Sequence, residues 1–220
     1  MATLVLVHTV QLLIEVFSNL CSRLVPTAEL LHVVDEPLLK VIQNRGMIVE
    51  SDIGHLRGHL AIAAELGARA VLVTCSTVSP AVDRARIGLA VPVYAIDEAM
   101  IQAAVQQGSI IGVIATAAST LDPTRQKLEA QARIENKPIT VKSVLVKDAL
   151  GLLMQGEADR HDILVKRAIE EIADDVEVVV LAQATIARVL DTIPAIKWKV
   201  PILASPHLAL RQVGRLFDGA

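Results

Sequence analysis

Aromatic side chains are almost absent from this sequence: among 220 residues there are two Phe, one Trp and one Tyr. Single-stranded nucleic acids are commonly bound by stacking their bases on aromatic rings, so this scarcity argues against nucleic acid and favours a small-molecule ligand. Lys and Arg form no cluster, and the net charge is −3. The charge pattern therefore predicts neither a phosphate backbone nor an anionic membrane as a partner.

Cysteine is also scarce. Cys21 and Cys75 are the only two, which is too few for a disulfide framework in a chain of this length. The apolar stretch 1–17 has no basic leader and is interrupted by polar side chains, so we interpret it as a strand followed by a helix. These features predict a cytoplasmic protein in which Cys21 is a core residue of the first helix.

Aliphatic residues dominate what is present, and the hydrophobic fraction is 53%. Short aliphatic runs alternate with helical patterns, which predicts parallel strands covered by helices, an α/β fold. The strands are expected at 3–7, 27–34, the run from Arg69 that precedes Cys75, 91–95, 110–115, 139–146, 178–182 and 201–204. Helices are expected at 10–24, 52–66, 98–107, 123–134, 149–153, 163–172 and 208–217, with two more opened by Glu36-Pro37 and Ser79-Pro80.

Local signals predict where some of these helices begin. Ser51 is expected to start the helix over 52–66, and Asp97 is expected to be the N-cap of the helix over 98–107. The segment 116–120 is interpreted as a small polar loop ahead of a helix that begins at Pro123.

The chain contains an internal repeat. Segment 71–79 (VLVTCSTVS) parallels 179–187 (VVLAQATIA), 91–95 (VPVYA) parallels 200–204 (VPILA), and 4–9 (LVLVHT) parallels 111–116 (IGVIAT). A repeat at a constant offset predicts a duplicated structural unit. We therefore predict two similar α/β lobes with parallel sheets, related by a pseudo-two-fold axis, whose strand ends face one cleft. Residues 1–95 with 206–220 would form the first lobe, and residues 96–205 the second.

The most informative residue is Cys75, which follows a buried strand at the position where open α/β sheets bind ligands. In the repeat Gln183 corresponds to Cys75, and Thr185 corresponds to Thr77. Small polar loops after strands offer backbone N–H groups and helix N-termini that attract carboxylates. A thiol in such a loop is expected to have its pKa lowered toward neutrality, which would make it a base or a nucleophile.

With its duplicated lobes and its Thr-Cys-Ser-Thr loop, the sequence resembles the aspartate/glutamate/hydantoin racemase superfamily over essentially the whole chain. The matching segments are 8–9, 75–77, 96–100, 115–124, 181–185 and 205–207. The resemblance implies a cofactor-independent enzyme that acts at the carbon next to a carboxylate or carbonyl. In the racemases of that superfamily, one cysteine from each lobe flanks this carbon. One thiolate removes the proton and the other thiol returns it on the opposite face.

This sequence departs from that pattern because Gln183 stands where the second cysteine is expected, and an amide cannot exchange a proton at neutral pH. Three alternatives follow. Another group serves as the second acid or base, the site only binds a small carboxylate, or a one-cysteine reaction operates. Arylmalonate decarboxylase and maleate isomerase are one-cysteine relatives, and maleate isomerase, whose nucleophilic cysteine lies in the first lobe, fits Cys75 better.

The candidate second acid or base is His8 or His207, since histidine has the right intrinsic pKa for proton exchange. The alternative roles are a hydrogen-bonded structural histidine for His8 and a cap of the closing helix for His207, while Glu98 is interpreted as a first-turn helix acid. The candidate substrate-binding residues are Thr9, Ser76, Thr77, Thr116, Ser119, Thr120, Gln183 and Thr185. For Cys75 itself the alternative is a buried, inert thiol.

Other motifs predict no further site. His55 and His59 are four residues apart in a predicted helix, but no third ligand is evident, so we expect them to be exposed to solvent and not to bind a metal. The glycines at 108 and 112 bracket a strand start, which is not a dinucleotide fingerprint, and no cofactor is expected.

The sequence therefore predicts an isomerase of the racemase type acting on a small amino acid or dicarboxylate. A two-lobed sensor that binds a metabolite without chemistry is the main rival, and a doubly wound assembly domain is a weaker one. A homo-oligomer is left open, because an apolar helix such as 52–66 suits a dimer interface and sheet cover equally well.

Overall fold

The computed structural model describes residues 2–192 and 198–218, so residues 1, 193–197 and 219–220 of the two predicted lobes lie outside the described part. Eight strands form two four-stranded sheets in which every pairing is parallel. The strands are β1 Ala2–His8, β2 Ala28–Val34, β3 Ala70–Val73, β4 Val93–Ala95, β5 Ile110–Ala115, β6 Thr140–Leu145, β7 Val178–Leu181 and β8 Ile202–Ala204. The predicted parallel sheets and all eight predicted strands are confirmed.

Helices follow the strands, as expected for parallel connections. They are α1 Leu12–Leu24, α2 Glu36–Arg45, α3 Glu50–Glu65, α4 Ser79–Ala85, α5 Glu98–Gln107, α6 Ala118–Ile134, α7 Ala149–Met154, α8 Ala158–Ile172, α9 Val189–Thr192 and α10 Ser205–Gly214. A single 3₁₀ turn covers Ala184–Ile186, and neither this turn nor α9 was predicted from the sequence. None of the helices in the described ranges is both long enough and apolar enough to cross a membrane.

Contacts divide the chain into two compact units. Unit 1 comprises Met1–Glu98 and Pro206–Ala220, and unit 2 comprises Ala99–Ser205. The strand order is β2-β1-β3-β4 in unit 1 and β6-β5-β7-β8 in unit 2. The two sheets thus have the same topology, and the repeated segments occupy equivalent strands. Cys75 lies two residues after the end of β3, and Gln183 lies two residues after the end of β7.

The core of unit 1 is built on β3, whose four residues are all fully buried. Leu56 and Leu60 of α3 belong to the same hydrophobic cluster as residues of this strand, and neither is exposed. Burial of one such leucine side chain stabilises the fold by roughly 1.5–3 kcal/mol. Phe17 of α1 is also fully buried, and so is Cys21, as the sequence predicted. Strand β3, which precedes Cys75, is therefore completely buried in unit 1.

Unit 2 repeats this arrangement with α8 packed close to β5. A Cβ at Gly112 of β5 would lie 3.0 Å from the Ile172 Cδ1 atom and 3.4 Å from the Val176 methyl groups. Glycine at this position therefore permits the close approach of α8 to the sheet. The buried residues Ile114, Val179 and Leu181 complete this core beneath the loops that follow β5 and β7.

The predicted start of α3 is wrong. The helix begins at Glu50, before Ser51, and Ser51 lies within its first turn. The Asp52 carboxylate reaches back to accept the Val49 backbone N–H at 2.9 Å, and it also accepts the Arg45 guanidinium at 2.6 Å. An acidic residue three positions into the helix thus provides the capping that a serine was expected to provide.

The bounds of three further helices also differ clearly from the prediction, and one of them is α8, which begins at Ala158, five residues before the predicted start. Helix α6 begins at Ala118, five residues before Pro123, so Ser119 and Thr120 belong to its first turn and not to a loop. The helix continues through the proline because its inner face, which includes Thr120 and Thr124, is buried against unit 2. Helix α10 spans Ser205–Gly214, three residues earlier at each end than predicted, since a proline is tolerated in a first helical turn.

Candidate active site

In unit 1, backbone hydrogen bonds continue the sheet past the ends of the strands. The Thr74 N–H donates to the Val7 carbonyl at 2.9 Å, and the Asp35 N–H donates to the His8 carbonyl at 2.9 Å. Because the strands are parallel, the polar residues that follow them lie along one edge of the sheet. This register fixes the position of Cys75, one residue beyond Thr74.

The loop after β3 folds around the Cys75 residue. The Cys75 carbonyl accepts the N–H groups of Val78 at 3.2 Å and Ser79 at 2.9 Å, which turns the chain into α4. The residue is 8% exposed. Near its sulfur lie the hydroxyls of Thr9 and Thr77 and the backbone N–H groups of Thr77 and Val78, which all act to lower the pKa of the thiol. Unit 1 therefore brings together three of the predicted site residues, Thr9, Cys75 and Thr77.

The expected lowering of the Cys75 pKa is wrong for this structure. Burial raises the pKa of the Cys75 thiol, and this desolvation outweighs the lowering by the hydrogen bonds from Thr9, Val78 and Thr77. The physical reason is that a thiolate loses its hydration in a dry site, whereas hydroxyl and amide donors replace only part of it. Cys75 is consequently a protonated thiol at neutral pH.

The Thr9 hydroxyl has a second notable property. Its oxygen is buried and makes no hydrogen bond of ordinary geometry among residues 2–192 and 198–218. Buried hydroxyls without such partners are uncommon in folded proteins, and a ligand oxygen would satisfy this one. Ser76 and Thr77 are also buried in the same loop region.

His8 is fully buried, and both of its ring nitrogens are occupied. Nδ1 lies 2.7 Å from the Thr74 hydroxyl oxygen, and Nε2 lies 2.9 Å from Nδ1 of His32. The Thr74 hydroxyl donates its proton to the Val7 carbonyl at 3.2 Å. It therefore accepts from His8 Nδ1–H, which leaves His8 Nε2 to accept from His32 Nδ1–H.

These contacts keep the His8 ring neutral. Burial and the neighbouring His32 lower the pKa of His8 to about 4, and burial also lowers the pKa of His32. A neutral imidazole with both nitrogens engaged is a poor proton donor at neutral pH. The geometry therefore favours the structural role that the sequence left open for His8, in which it links β1 to β2 and to Thr74.

In unit 2, Gln183 is held by Thr116 of the neighbouring strand end. The Gln183 Oε1 atom accepts the Thr116 backbone N–H at 2.5 Å and the Thr116 hydroxyl at 2.9 Å. A backbone N–H can only donate, so the oxygen of the amide must face Thr116 and the NH₂ group must point away. Across the described residues, that NH₂ group makes no hydrogen bond. Gln183 thus presents two N–H donors at the position equivalent to Cys75.

The remaining predicted site residues are distributed as follows. Thr120 is buried in the first turn of α6, while Ser119 beside it is partly exposed. Thr185 lies in the 3₁₀ turn after Gln183, and its hydroxyl oxygen is buried with no hydrogen-bond partner in the described part of the chain. His207 is partly exposed in the first turn of α10. Glu98 lies in the first turn of α5, as predicted, and its carboxylate accepts a hydrogen bond from the Arg86 guanidinium at 2.7 Å.

Sequence reasoning missed three residues. Thr74 and His32 hold His8, and Asp35 contacts both His55 and His59. The interpretation of His55 and His59 as histidines without a third ligand is therefore wrong. The available signal was that Asp35 follows a predicted strand, as Thr9 and Cys75 do, and polar residues at that place share one sheet edge.

The sequence matches the Asp/Glu/hydantoin racemase family over residues 8–213. A search of curated protein sequences finds no match. Among solved structures, the chain is similar to an aspartate racemase homologue from Pyrococcus horikoshii, with a TM-score of 0.73, 14% identity, and coverage of 99% of this chain and 100% of that one. It is also similar to aspartate racemase from Picrophilus torridus (TM-score 0.68, 11% identity, coverage 99% and 100%) and to allantoin racemase from Klebsiella pneumoniae (TM-score 0.67, 18% identity, coverage 98% and 87%). At these identities the structural similarity shows a common fold.

The low pKa of His8 predicts a pH-dependent stability. The unfolded state binds a proton at the usual histidine pKa of about 6.5, whereas folded His8 binds one only near 4. The free energy of unfolding is therefore highest above pH 6.5 and falls as the pH is lowered from about 6.5 to about 4. When the free energy of unfolding is measured with urea across this range, its slope against pH should be smaller for His8→Asn than for the native chain. An unchanged slope would contradict the burial of a neutral His8.

The two cysteines should differ in reactivity with iodoacetamide. Burial raises the pKa of Cys75, and it raises the pKa of Cys21 to about 12. In the folded protein at neutral pH we expect both thiols to react more slowly than in urea, and the rate at Cys75 to rise with pH beyond the usual thiol pKa of about 8.5. Cys21, buried in α1, should react more slowly still. Peptide mass spectrometry measures both rates, and a Cys75 rate that is already at its plateau at pH 7 would contradict the raised pKa.

Proposed function

The chain belongs to the Asp/Glu/hydantoin racemase family, and from this we propose that it acts at the carbon next to a carboxylate of a small amino acid or dicarboxylate, without a cofactor and with Cys75 as base or nucleophile. The expected enzyme class, an isomerase, is confirmed by the family. The observation that supports the proposal most strongly is that hydroxyl and backbone N–H groups of Thr9, Thr77 and Val78 lie close enough to the Cys75 sulfur to lower the pKa of its thiol. A thiol that only filled core volume would have no need of them.

In the proposed reaction the Cys75 sulfur takes the proton from the substrate carbon. The C–H bond breaks, an S–H bond forms, and the electron pair moves into an enolate on the carboxylate or carbonyl oxygen. Return of the proton reverses these changes. The Cys75 thiol must first release its own proton to water. The donors from Thr9, Thr77 and Val78 stabilise the resulting thiolate, because positioned dipoles lower the energy of a developing charge in a dry site. Because its pKa is raised, the resting form of Cys75 is the protonated thiol. The same group can therefore also return a proton to the substrate carbon.

Gln183 is proposed to bind the substrate, not to exchange protons. Its oxygen is bound by Thr116, and its two N–H groups are suited to a carboxylate or enolate oxygen. The further substrate donors in this proposal are the hydroxyls of Thr9, Ser76, Thr77, Thr116, Ser119, Thr120 and Thr185. His207 is proposed as the second acid or base, since His8 is buried, neutral and hydrogen-bonded at both nitrogens.

A one-cysteine isomerisation is the second candidate, and the Gln183 amide favours it because this route needs no second thiol. Here the Cys75 sulfur adds to the double bond of an unsaturated dicarboxylate. An S–C bond forms, the double bond becomes single, and the electron pair moves to an enolate on the adjacent carboxylate. Rotation and loss of the thiolate then restore the double bond in the other geometry.

Proton–deuterium exchange tests the proposal directly. The protein is incubated in heavy water with amino acids, hydantoins, hydroxy acids and saturated and unsaturated dicarboxylates, and exchange or isomerisation is followed by NMR. We expect the native chain to exchange the hydrogen next to the carboxylate of one compound class, or to isomerise an unsaturated dicarboxylate. Cys75→Ala should abolish either reaction because it removes the sulfur that this proposal uses to accept the proton or to add to the double bond.

Cys21→Ala is the matched control, since it removes the other buried thiol and leaves the candidate site intact. Circular dichroism of both variants establishes that they are folded. Full activity in a folded Cys75→Ala variant would falsify the assignment. Tight binding of a carboxylate by the native chain, without turnover of any compound in the panel, would favour the binding protein instead.

Gln183→Glu tests the proposed role of the amide. The new carboxylate still accepts from Thr116, but it replaces the NH₂ donor with a negative oxygen that repels an anionic substrate. Loss of a hydrogen bond to a charged group costs about 1.5–3 kcal/mol, so KM for the substrate found above should rise by about 10-fold or more while kcat falls less. Steady-state kinetics measures both constants. A fall in kcat at unchanged KM would instead indicate that Gln183 takes part in the chemical step.

A further inference from the structure

A cluster of two histidines and one aspartate lies in unit 1. The Asp35 Oδ2 atom is 2.7 Å from His55 Nε2 and 2.8 Å from His59 Nε2, and the three ligand atoms lie within 4.8 Å of one another. His55 and His59 are four residues apart on α3, so their rings project from one face of the helix. Asp35 follows β2 and begins α2. From this convergence we propose that the cluster binds a divalent transition metal ion of the Zn²⁺ type.

The carboxylate of Asp35 is prepared for such a role. Its Oδ1 atom accepts the Leu38 backbone N–H at 3.0 Å, which caps α2 and fixes the orientation of the carboxylate. Oδ2 is thereby directed toward the two imidazoles. Asp35 is buried, and its pKa is held below the usual value by hydrogen bonds and by the histidine charges, although burial acts in the opposite direction. An ionised, oriented carboxylate oxygen is what a metal site requires.

The donor set determines which ions fit. Two imidazole nitrogens with one carboxylate oxygen suit Zn²⁺, Co²⁺, Ni²⁺ or Fe²⁺, whereas Mg²⁺ and Ca²⁺ prefer oxygen ligands alone. Around a tetrahedral ion with bonds near 2.0 Å, ligand atoms lie about 3.3 Å apart. Binding therefore requires each Nε2 to release to water the proton that it now donates to Oδ2, and the Nε2 and Oδ2 atoms to separate by about half an ångström. The His55 side chain is 56% exposed and that of His59 is 26% exposed, so the rings have room for this movement.

Exposure of His55 also leaves a side of the cluster open, so water or another small ligand would complete the coordination. In the His-Glu-x-x-His metalloproteases the glutamate after the first histidine is the general base. Here that position holds Leu56, which is fully buried, so this base is missing. Arg57 is bound to the carbonyls of Ala85 and Ile87 and does not point its charge at the ion. We therefore assign the site to metal binding and not to hydrolysis.

A bound ion would fasten α3 to the junction between β2 and α2. Asp35 is itself joined to β1 through its N–H bond to the His8 carbonyl. Ligands that bind only the folded state increase its stability, so the ion should raise the melting temperature of unit 1. The site is independent of the proposed function, because it is formed by residues with no part in the chemistry at Cys75.

Titration of the purified full-length chain with Co²⁺ tests the site through its visible absorption spectrum. We expect one Co²⁺ per chain with the absorption typical of four or five nitrogen and oxygen ligands, displaced by Zn²⁺, and a rise in melting temperature with Zn²⁺. His55→Ala and His59→Ala should each weaken binding by at least about 10-fold, because removal of a group that only hydrogen-bonds to a metal ligand already weakens binding by that much. Asp35→Asn should weaken it similarly, while its amide oxygen can still cap α2.

Glu65→Gln is the matched control, because Glu65 is an exposed acidic residue of the same helix that lies outside the cluster. It should bind Co²⁺ as the native chain does. Unchanged binding in folded His55→Ala and His59→Ala variants would overturn the proposal, and so would the absence of binding by the native chain. A sulfur-to-cobalt charge-transfer band would also overturn it, since that band would place the ion on a cysteine.

Discussion

The parallel pairing of β1 with β3 is the interaction on which the candidate site of unit 1 depends. It sets Thr74 beside Val7 and so places Thr9 next to the Cys75 thiol. Parallel strands must be covered on both faces, which is why the strand beneath Cys75 is entirely buried. The same requirement makes the site dry. A dry site strengthens every hydrogen bond made to a developing charge, but it also penalises that charge until the hydrogen bonds are complete.

Cys75 and His8 differ in how their surroundings respond to the cost of charging a buried side chain. Burial shifts the pKa of each toward the neutral form, but their surroundings differ. Cys75 is surrounded by donors that favour its charged form, and these are useful only if that form is reached. His8 has its two nitrogens matched to one acceptor and one donor, an arrangement that favours the neutral ring. The polar contacts thus favour the charged form of Cys75 and the neutral form of His8.

Unit 2 uses the same topology with different chemistry at the equivalent position. The Gln183 amide oxygen is bound by Thr116, so the amide offers N–H donors at the position that corresponds to Cys75 in the repeat. A duplicated fold allows this divergence because each sheet positions its own strand-end loops. One copy can retain an ionisable group while the other supplies only hydrogen bonds, with no change in either core.

Strand positions, sheet direction and the repeat were predictable from the sequence, because buried parallel strands are continuous aliphatic runs and the two copies of each run are alike. The positions of Cys75 and Gln183 just beyond a strand were predictable for the same reason, since both follow such a run. The starts of α3 and α6 were not predictable, because Asp52 caps its helix from inside and burial of Thr120 and Thr124 outweighs the proline signal. The pairing of His8 with His32, the raised pKa of Cys75 and the approach of Asp35 to His55 and His59 were decided only by the tertiary structure. Each depends on how deeply a side chain is buried and on which distant residue faces it, and the order of residues along one chain specifies neither directly.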